Sequence, residues 1–179
     1  VVAAWDATYD AASGSNNGVA WGNQGVTVGT STSLQDFMGY SNSMKVLAAA
    51  NGVLENSSSD NYPAFYYAMV KYEESYPAPS TSSGWFMPSA YQLLYMWEEF
   101  DPTDAEEAVI ENQLALLAES GMGAEMYARD SEYWSSTERN NSPDIYVHYV
   151  VYDEASTPPG RIDYWNKRNN MRVRAILAF

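Results

Sequence analysis

Cysteine is absent from this chain of 179 residues, and histidine occurs once, at position 148. The absence of cysteine excludes disulfide bonds, thiol nucleophiles and cysteine-bound metals. A single histidine cannot build a histidine-rich metal site. No run of about 20 apolar residues occurs, so the sequence predicts no membrane-spanning helix. No signal peptide is visible, and a chain that begins at Val1 is typical of a processed protein or a part of a longer one.

Basic residues are also scarce, with 9 Lys and Arg against 23 Asp and Glu and a net charge of −14. This balance argues against a nucleic-acid-binding protein, which needs a basic face. An acidic run without any base contains Glu98, Glu99, Asp101, Asp104, Glu106, Glu107 and Glu111. Five basic residues cluster near the end, with only Asp163 opposing them: Arg161, Lys167, Arg168, Arg172 and Arg174. The two regions could attract one another, or the basic cluster could meet an acidic partner.

Aromatic residues are abundant, at 15% of the chain with 15 Tyr and 6 Trp. Between residues 139 and 170 they alternate with Asn and Arg, a composition that makes a poor core. It makes a good contact surface, because aromatic rings bring area and Arg and Asn bring adaptable hydrogen bonds.

The order of predicted elements is strand and loop, then helices, then strands, which indicates an α+β fold in one domain. Helices are predicted over 42–50, 63–74, from Ser89 and from Asp101; strands are predicted near 1–5, 26–28, 85–87, 145–152 and 173–179. Ser89 and Gln92 match a capping box at the start of the third helix.

Alternation through residues 145–152 predicts a strand with one buried and one outward face. Tyr146 and His148 fall on the outward face, so we interpret His148 as a contact residue rather than a catalytic base. No nucleophile elbow or metalloprotease motif occurs, and the sequence predicts no enzyme. Glu138 is expected to accept hydrogen bonds from backbone amides, and Arg174 to pair with a buried carboxylate.

Paired carboxylates and metal sites are weak signals here. Glu98-Glu99 and Glu106-Glu107 point in different directions on a helix and do not form a glycosidase pair. No cofactor is predicted. A structural calcium ion stays an open alternative, since loop carboxylates at Asp60, Asp130, Asp144 and Asp153 are of the type that Ca²⁺ uses.

Three segments carry a resemblance to a known family. Residues 85–90 read W-F-M-P-S-A, residues 133–138 read Y-W-S-S-T-E, and residues 173–179 read V-R-A-I-L-A-F. They resemble the W-Y-L-P-S-A, Y-W-S-S-T-E and V-R-A-V-R-A-F signatures of bacterial C-type-lectin-fold domains, of the subgroup that includes formylglycine-generating enzymes. The resemblance implies short twisted antiparallel sheets with several flanking helices, over about residues 20–179, with residues 1–20 as an extension from a longer protein.

The chain is most similar to the variable proteins of diversity-generating retroelements from gut Bacteroidales and their phages. In that family a reverse transcriptase rewrites adenines in a C-terminal repeat, here matched by residues 133–179. Gly160, Ile162 and Lys167 match constant positions. The varied positions, implied to bind a ligand, are Arg139, Asn140, Asn141, Tyr146, His148, Arg161, Asp163, Tyr164, Trp165, Asn166, Arg168 and Asn169. The chain departs from the family pattern at Pro143-Asp144-Ile145, over residues 152–159 and at Leu177.

The resemblance implies a non-enzymatic receptor or adhesin that is secreted, on the bacterial cell surface or on a phage particle. Its partner would be a protein or glycan on another cell or phage host. Formylglycine-generating enzymes rely on cysteine, which this chain lacks. Calcium-dependent sugar binding does not carry over, because no E-P-N-type motif occurs. Two alternatives remain: a structural or tip module of a bacterial surface fibre, and a calcium-independent carbohydrate-binding domain.

Overall fold

A computed structural model describes residues 1–8, 18–57, 61–98, 116, 119–121, 131–152 and 160–179. Helix α1 spans Gly39–Ala49. A central helical segment combines α2 (Pro63–Tyr66), a π-helical turn (Tyr67–Lys71) and α3 (Tyr72–Ser75), and it corresponds to the single helix predicted over 63–74. Helix α4 spans Ala90–Glu98.

The main sheet has three antiparallel strands in the order β2-β3-β4: Ser131–Glu138, Tyr146–Tyr152 and Gly160–Asn166. A second sheet pairs β1 (Val19–Ala20) with β5 (Asn170–Met171), also antiparallel. Helices and antiparallel strands are segregated along the chain, which confirms the predicted α+β class.

The three segments that carry the sequence resemblance lie against one another. Residues 88 and 136 are joined by a hydrogen bond from the Ser136 amide to the Pro88 carbonyl oxygen, at 2.8 Å. The Ala90 amide donates to Thr137 Oγ1 at 3.0 Å. Phe86 forms an antiparallel bridge with Ile176. The signatures therefore form one continuous part of the fold rather than three separate sites.

Both faces of the main sheet are covered at its centre, whereas the alternation predicted one buried and one outward face. Directly opposed residues of antiparallel strands share a face. Trp134, Tyr149 and Val151 lie on the core-side face and join the main hydrophobic core. Tyr133 and Val150 lie on the other, helix-side face, where they pack against Leu93 and Leu94 of α4. Val150, predicted to point outward, is buried because α4 covers that part of the sheet.

Helix α1 begins three residues before the predicted start at position 42. Its N-cap is Met38, and no side chain caps it. Asn42 and Ser43, which are residue types that commonly cap helices, are instead buried inside the helix. Asn42 Oδ1 accepts from the Ser31 amide at 2.8 Å, and Ser43 Oγ accepts from the Met87 amide at 3.1 Å. Their polar atoms thus serve neighbouring loops. In contrast, the capping box of α4 is confirmed: Ser89 N donates to Gln92 Oε1 at 2.9 Å and Gln92 N to Ser89 Oγ at 3.2 Å.

The closing segment 172–179 is not the continuous strand that the sequence predicts. It is buried from Val173 to Leu177 and makes isolated bridges, with Arg172 to Tyr133 and with Ile176 to Val2 and Phe86. Residues 1–8 run beside it, with the Ala3 amide bonded to the Ala175 carbonyl oxygen at 2.9 Å. Because these neighbours come from three different parts of the chain, no single ladder extends through the segment. Residues 26–28 likewise form no strand.

Some expectations fall outside the described residues. They include the helix predicted from Asp101, most of the acidic run, the Pro-containing stretch 153–159, and the carboxylates of Asp60, Asp130 and Asp153. Within the described part of the chain, no helix has the length and apolar character needed to cross a membrane.

Candidate ligand-binding surface

Glu138, the last residue of β2, anchors the base of the candidate surface. Its carboxylate is fully buried and accepts the amides of Val28, Gly29 and Thr30 at 2.9, 2.8 and 3.0 Å. The structure confirms the prediction that Glu138 binds backbone amides. A buried charge is tolerated only when it is paired and hydrogen-bonded in this way.

Lys167, which follows β4, supplies the cation that pairs with the buried Glu138 carboxylate. Its Nζ atom lies 2.6 Å from Glu138 Oε1, 2.8 Å from the Val26 carbonyl oxygen and 4.6 Å from the centre of the Trp21 ring. Burial lowers the pKa of Lys167, while the hydrogen bond and charge of Glu138 oppose that shift. The resemblance matches Lys167 to a constant position but does not reveal its partner. The ion pair ties the turn after β4 to the end of β2.

A second buried ion pair holds the closing segment. Arg174 Nε lies 2.7 Å from Asp6 Oδ1, which confirms the predicted pairing of Arg174 with a buried carboxylate. Tyr133 donates its hydroxyl to Asp6 Oδ2 at 3.1 Å. Burial and the neighbouring Asp6 charge raise the pKa of Tyr133 to about 12. These contacts join the N-terminal residues, β2 and the closing segment.

The residues predicted to form one binding face are divided between the two faces of the sheet. Tyr164 lies opposite His148 on the helix-side face, and Trp165 lies opposite Val147 on the core-side face. Adjacent residues of a strand point to opposite sides, so Tyr146, His148 and Tyr164 form one group. Arg161, Asp163 and Trp165 form another. Tyr164 and Trp165 nevertheless both reach solvent along β4, which forms a rim of the sheet among the described residues.

The first group, here named the Arg139 cluster, consists of Arg139, Tyr146, His148 and Tyr164. The Arg139 guanidinium carbon lies 3.5 Å from the centre of the Tyr164 ring and 5.6 Å from that of Tyr146. The two tyrosine rings meet edge to face at 5.7 Å. The Arg139 amide donates to the Tyr146 carbonyl oxygen at 3.1 Å, so the backbone beneath the guanidinium is also fixed.

His148 is less open than the sequence indicates, being only 8% exposed beneath Tyr164. Its Nδ1 donates to the Asp163 carbonyl oxygen at 3.2 Å. Burial lowers the pKa of His148 below its ordinary value of 6.5, the contact with Asp163 opposes this, and the Arg139 charge lowers it further. His148 therefore supports the rings above it more than it offers a contact of its own.

Of the second group, Trp165 lines a shallow pocket of about 270 Å³, together with Glu132, Asn169, Asn170 and Met171. Trp165, which lines this pocket, is 52% exposed. The sequence prediction includes Trp165 and Asn169 but misses Glu132 and Asn170. Glu132, opposite Val151, shares the core-side face with Trp165, and the Arg172 amide donates to its carbonyl oxygen at 3.0 Å, next to Met171.

The remaining predicted residues are mostly solvent-facing. Asn140 and Asn141 are exposed in the turn after β2, and Arg161 and Arg168 are exposed on and after β4. Asn166 has a structural role, since its Oδ1 accepts the Arg168 amide at 2.9 Å. No group of three or more metal-ligating side chains occurs among the residues that the structure describes. Asp144, the described member of the proposed calcium set, has no such companions there.

Comparisons with known proteins give one curated relative and one solved structure. The chain is 30% identical over 143 residues to a putative fimbrium tip subunit, Fim1C, of Bacteroides ovatus. It also superimposes on a fimbrial protein of Bacteroides ovatus with a TM-score of 0.61 and 22% identity, over 91% of this chain. The chain shares its fold with part of that fimbrial protein.

The match covers only part of each relative. The chain spans 23% of the length of the tip subunit and 33% of the solved fimbrial chain. No protein-family model matches the sequence.

Proposed function

We propose that this chain is an extracellular, non-enzymatic module of a bacterial surface fibre, of the kind found in fimbrial tip subunits. The observation that carries this proposal is the 30% identity to a putative fimbrium tip subunit, which extends over 80% of the chain. The fold shared with a fimbrial protein points the same way. As a fibre subunit the chain would belong to a larger protein and to a larger assembly.

The architecture of the described residues suits such a module. Two buried ion pairs, Glu138–Lys167 and Asp6–Arg174, tie the ends of the C-terminal segment to the core. Arg139, Tyr164 and Trp165 then stand on a rigid base at an exposed rim. Rigid aromatic side chains lose little conformational entropy on binding, so this rim is suited to contact a partner.

Immunogold electron microscopy on cells that produce the protein tests this proposal. Antibodies against the folded chain should label surface fibres, and label at fibre ends would support a tip position. Deletion of the coding region should remove the label, which controls for antibody specificity. Label confined to the cell interior would overturn the proposal.

A second candidate function is a diversified ligand-binding face on a C-type-lectin scaffold. It is favoured by the mutual contact of the three signature segments, residues 85–90, 133–138 and 173–179. Six of the positions that the resemblance matches to varied codons are exposed between the second and third signatures: Asn140, Asn141, Arg161, Tyr164, Trp165 and Arg168. The ligand would be a protein or glycan on another cell or phage host. The two candidate functions are compatible, since a fibre module can display such a face.

Two observations test the second candidate. Replacement of Tyr146, Tyr164 and Trp165 by Ala should abolish attachment to the partner cell while the chain stays folded; loss of folding would count against a displayed face. A reverse-transcriptase gene beside a near-copy of the codons for residues 133–179, differing mainly at adenines, would establish the retroelement. If the surrounding DNA lacks such a gene and near-copy, the face is not diversified by a retroelement, and only its ligand-binding role stays a candidate.

A further inference from the structure

We infer that the Arg139 cluster binds the carboxylate of a uronic-acid-type sugar carried on an otherwise neutral glycan. The inference rests on the proposed ligand-contacting role of this rim and names the chemical class of the ligand. It assigns Arg139 as the residue that holds the carboxylate, and Tyr146 and Tyr164 as the residues that hold Arg139.

The guanidinium is already positioned for this contact. At 3.5 Å from the ring centre, the group lies on the face of Tyr164, while Tyr146 borders it at 5.6 Å. Stacking of this kind orients the planar group, and cation–π attraction offsets part of the entropy lost by fixing a long side chain. A bound ligand therefore does not have to order the arginine.

The donors of the guanidinium remain available. A guanidinium stacked on a ring directs its N–H groups outward in its own plane, in the fork that matches a carboxylate. Within the described residues, Arg139 makes ring contacts and a backbone hydrogen bond, but no carboxylate pairs with its side chain. By comparison, Arg174 and Lys167 are both paired with buried carboxylates. Among the described residues, Arg139 is therefore a cation of this rim that two tyrosine rings hold and that no carboxylate of the chain neutralises.

The charge of the whole chain limits the kind of anion. A net charge of −14 repels polyanions such as nucleic acids or long acidic peptides, whereas one carboxylate on a neutral ligand meets Arg139 at short range. Exposed amide side chains at Asn140 and Asn141 follow Arg139 directly and can exchange hydrogen bonds with hydroxyl groups. An isolated uronic acid in a neutral glycan combines these two features.

The single histidine, His148, reports directly on whether a carboxylate binds Arg139. His148 lies under Tyr164, and the Arg139 charge is one of the factors that lower its pKa. A carboxylate bound to Arg139 offsets that charge, so it should raise the pKa of His148. The probe pair is methyl glucuronide and methyl glucoside, which differ in one carboxylate, and the readout is the imidazole signal followed by NMR across a pH titration.

Binding of the glucuronide, with a raised pKa of His148 and no response to the glucoside, is the expected result. Arg139→Gln should weaken glucuronide binding about tenfold or more, since a charged hydrogen bond is removed. The affinity of Arg139→Lys for the glucuronide should fall between those of the unmodified protein and Arg139→Gln, because lysine keeps the charge but lacks the planar fork of donors. Lys71→Gln removes the same charge from an exposed residue of the central helical segment and should leave binding unchanged.

Equal binding of glucuronide and glucoside, or no binding of either, would overturn the inference. So would binding of N-acetylglutamate amide in place of the glucuronide, which would indicate a peptide partner. An unchanged unfolding midpoint in Arg139→Gln shows that the variant is folded. None of these results bears on whether the protein resides in surface fibres, so failure here is distinct from failure of the proposed function.

Discussion

Replacing Lys167 by Met should destabilise the protein more than any surface charge change. The ammonium and the Glu138 carboxylate are both fully buried and 2.6 Å apart. Breaking a buried pair by removing one partner costs about 3–5 kcal/mol. Glu138 would keep its three backbone amide bonds, and the Val26 carbonyl belongs to an exposed residue that water can reach. We therefore expect a loss near the lower end, about 3 kcal/mol.

Urea unfolding followed by tryptophan fluorescence measures this loss, because Trp21 and Trp134 are fully buried and report on the core. For a domain of this size, a loss of about 3 kcal/mol also lowers Tm by roughly 6–12 °C. Lys71→Met is the matched control: its partner Glu74 is 3.0 Å away, but both side chains are at least half exposed, so its midpoint should not move. Equal midpoints for the two variants would show that the buried Lys167–Glu138 pair contributes no more to stability than an exposed one.

Two further predictions concern the core of the fold and its response to pH. Gly39→Ala should destabilise by about 1–3 kcal/mol although alanine favours helices, because a Cβ there would lie 2.8 Å from both the Met87 carbonyl oxygen and the Ser89 amide; a stabilised variant in urea unfolding would contradict this packing. Acidification from about pH 7 to pH 5 should lower stability through His148, since its pKa is lower in the folded chain and the unfolded chain therefore binds more protons in that window. His148→Gln should remove that part of the pH dependence, and an unchanged pH profile in the variant would show that His148 does not contribute.

Local signals in the sequence predicted the features that depend on neighbours along the chain. The Ser89–Gln92 capping box is a pattern of four residues, and the structure contains it. Roles of buried charges were also predictable, because a carboxylate or guanidinium that becomes buried must find partners. Glu138 with its backbone amides and Arg174 with Asp6 follow that rule.

Features that depend on distant parts of the chain could not be predicted in the same way. Nothing in the alternation of β3 indicates that α4 covers its second face and buries Val150. Asn42 and Ser43 have the residue types of helix caps, yet tertiary contacts with Ser31 and Met87 place them inside the helix. The partner of Lys167 is 29 positions away, so composition gave no signal for the pairing.

The candidate surface was predicted as a list of residues but not as a shape. Adjacent positions such as Tyr164 and Trp165 were assigned to one face, although a strand sends them to opposite sides. The structure resolves the set into the Arg139 cluster and the Trp165 pocket, with His148 largely covered and Asn166 shaping a turn. Strand register assigns Glu132 to the same face as Trp165, and the hydrogen bond from the Arg172 amide to the Glu132 carbonyl oxygen brings it beside Met171.

Hydroxyl-radical footprinting of the intact surface fibre shows directly whether the rim of β4 is displayed for a partner or joins subunits. We propose that it is displayed. Tyr164 and Trp165, which are 38% and 52% exposed in the chain, should then be modified in the assembled fibre as readily as in the isolated chain. Strong protection of both residues in the fibre would show that this rim is a subunit interface and would contradict this proposal.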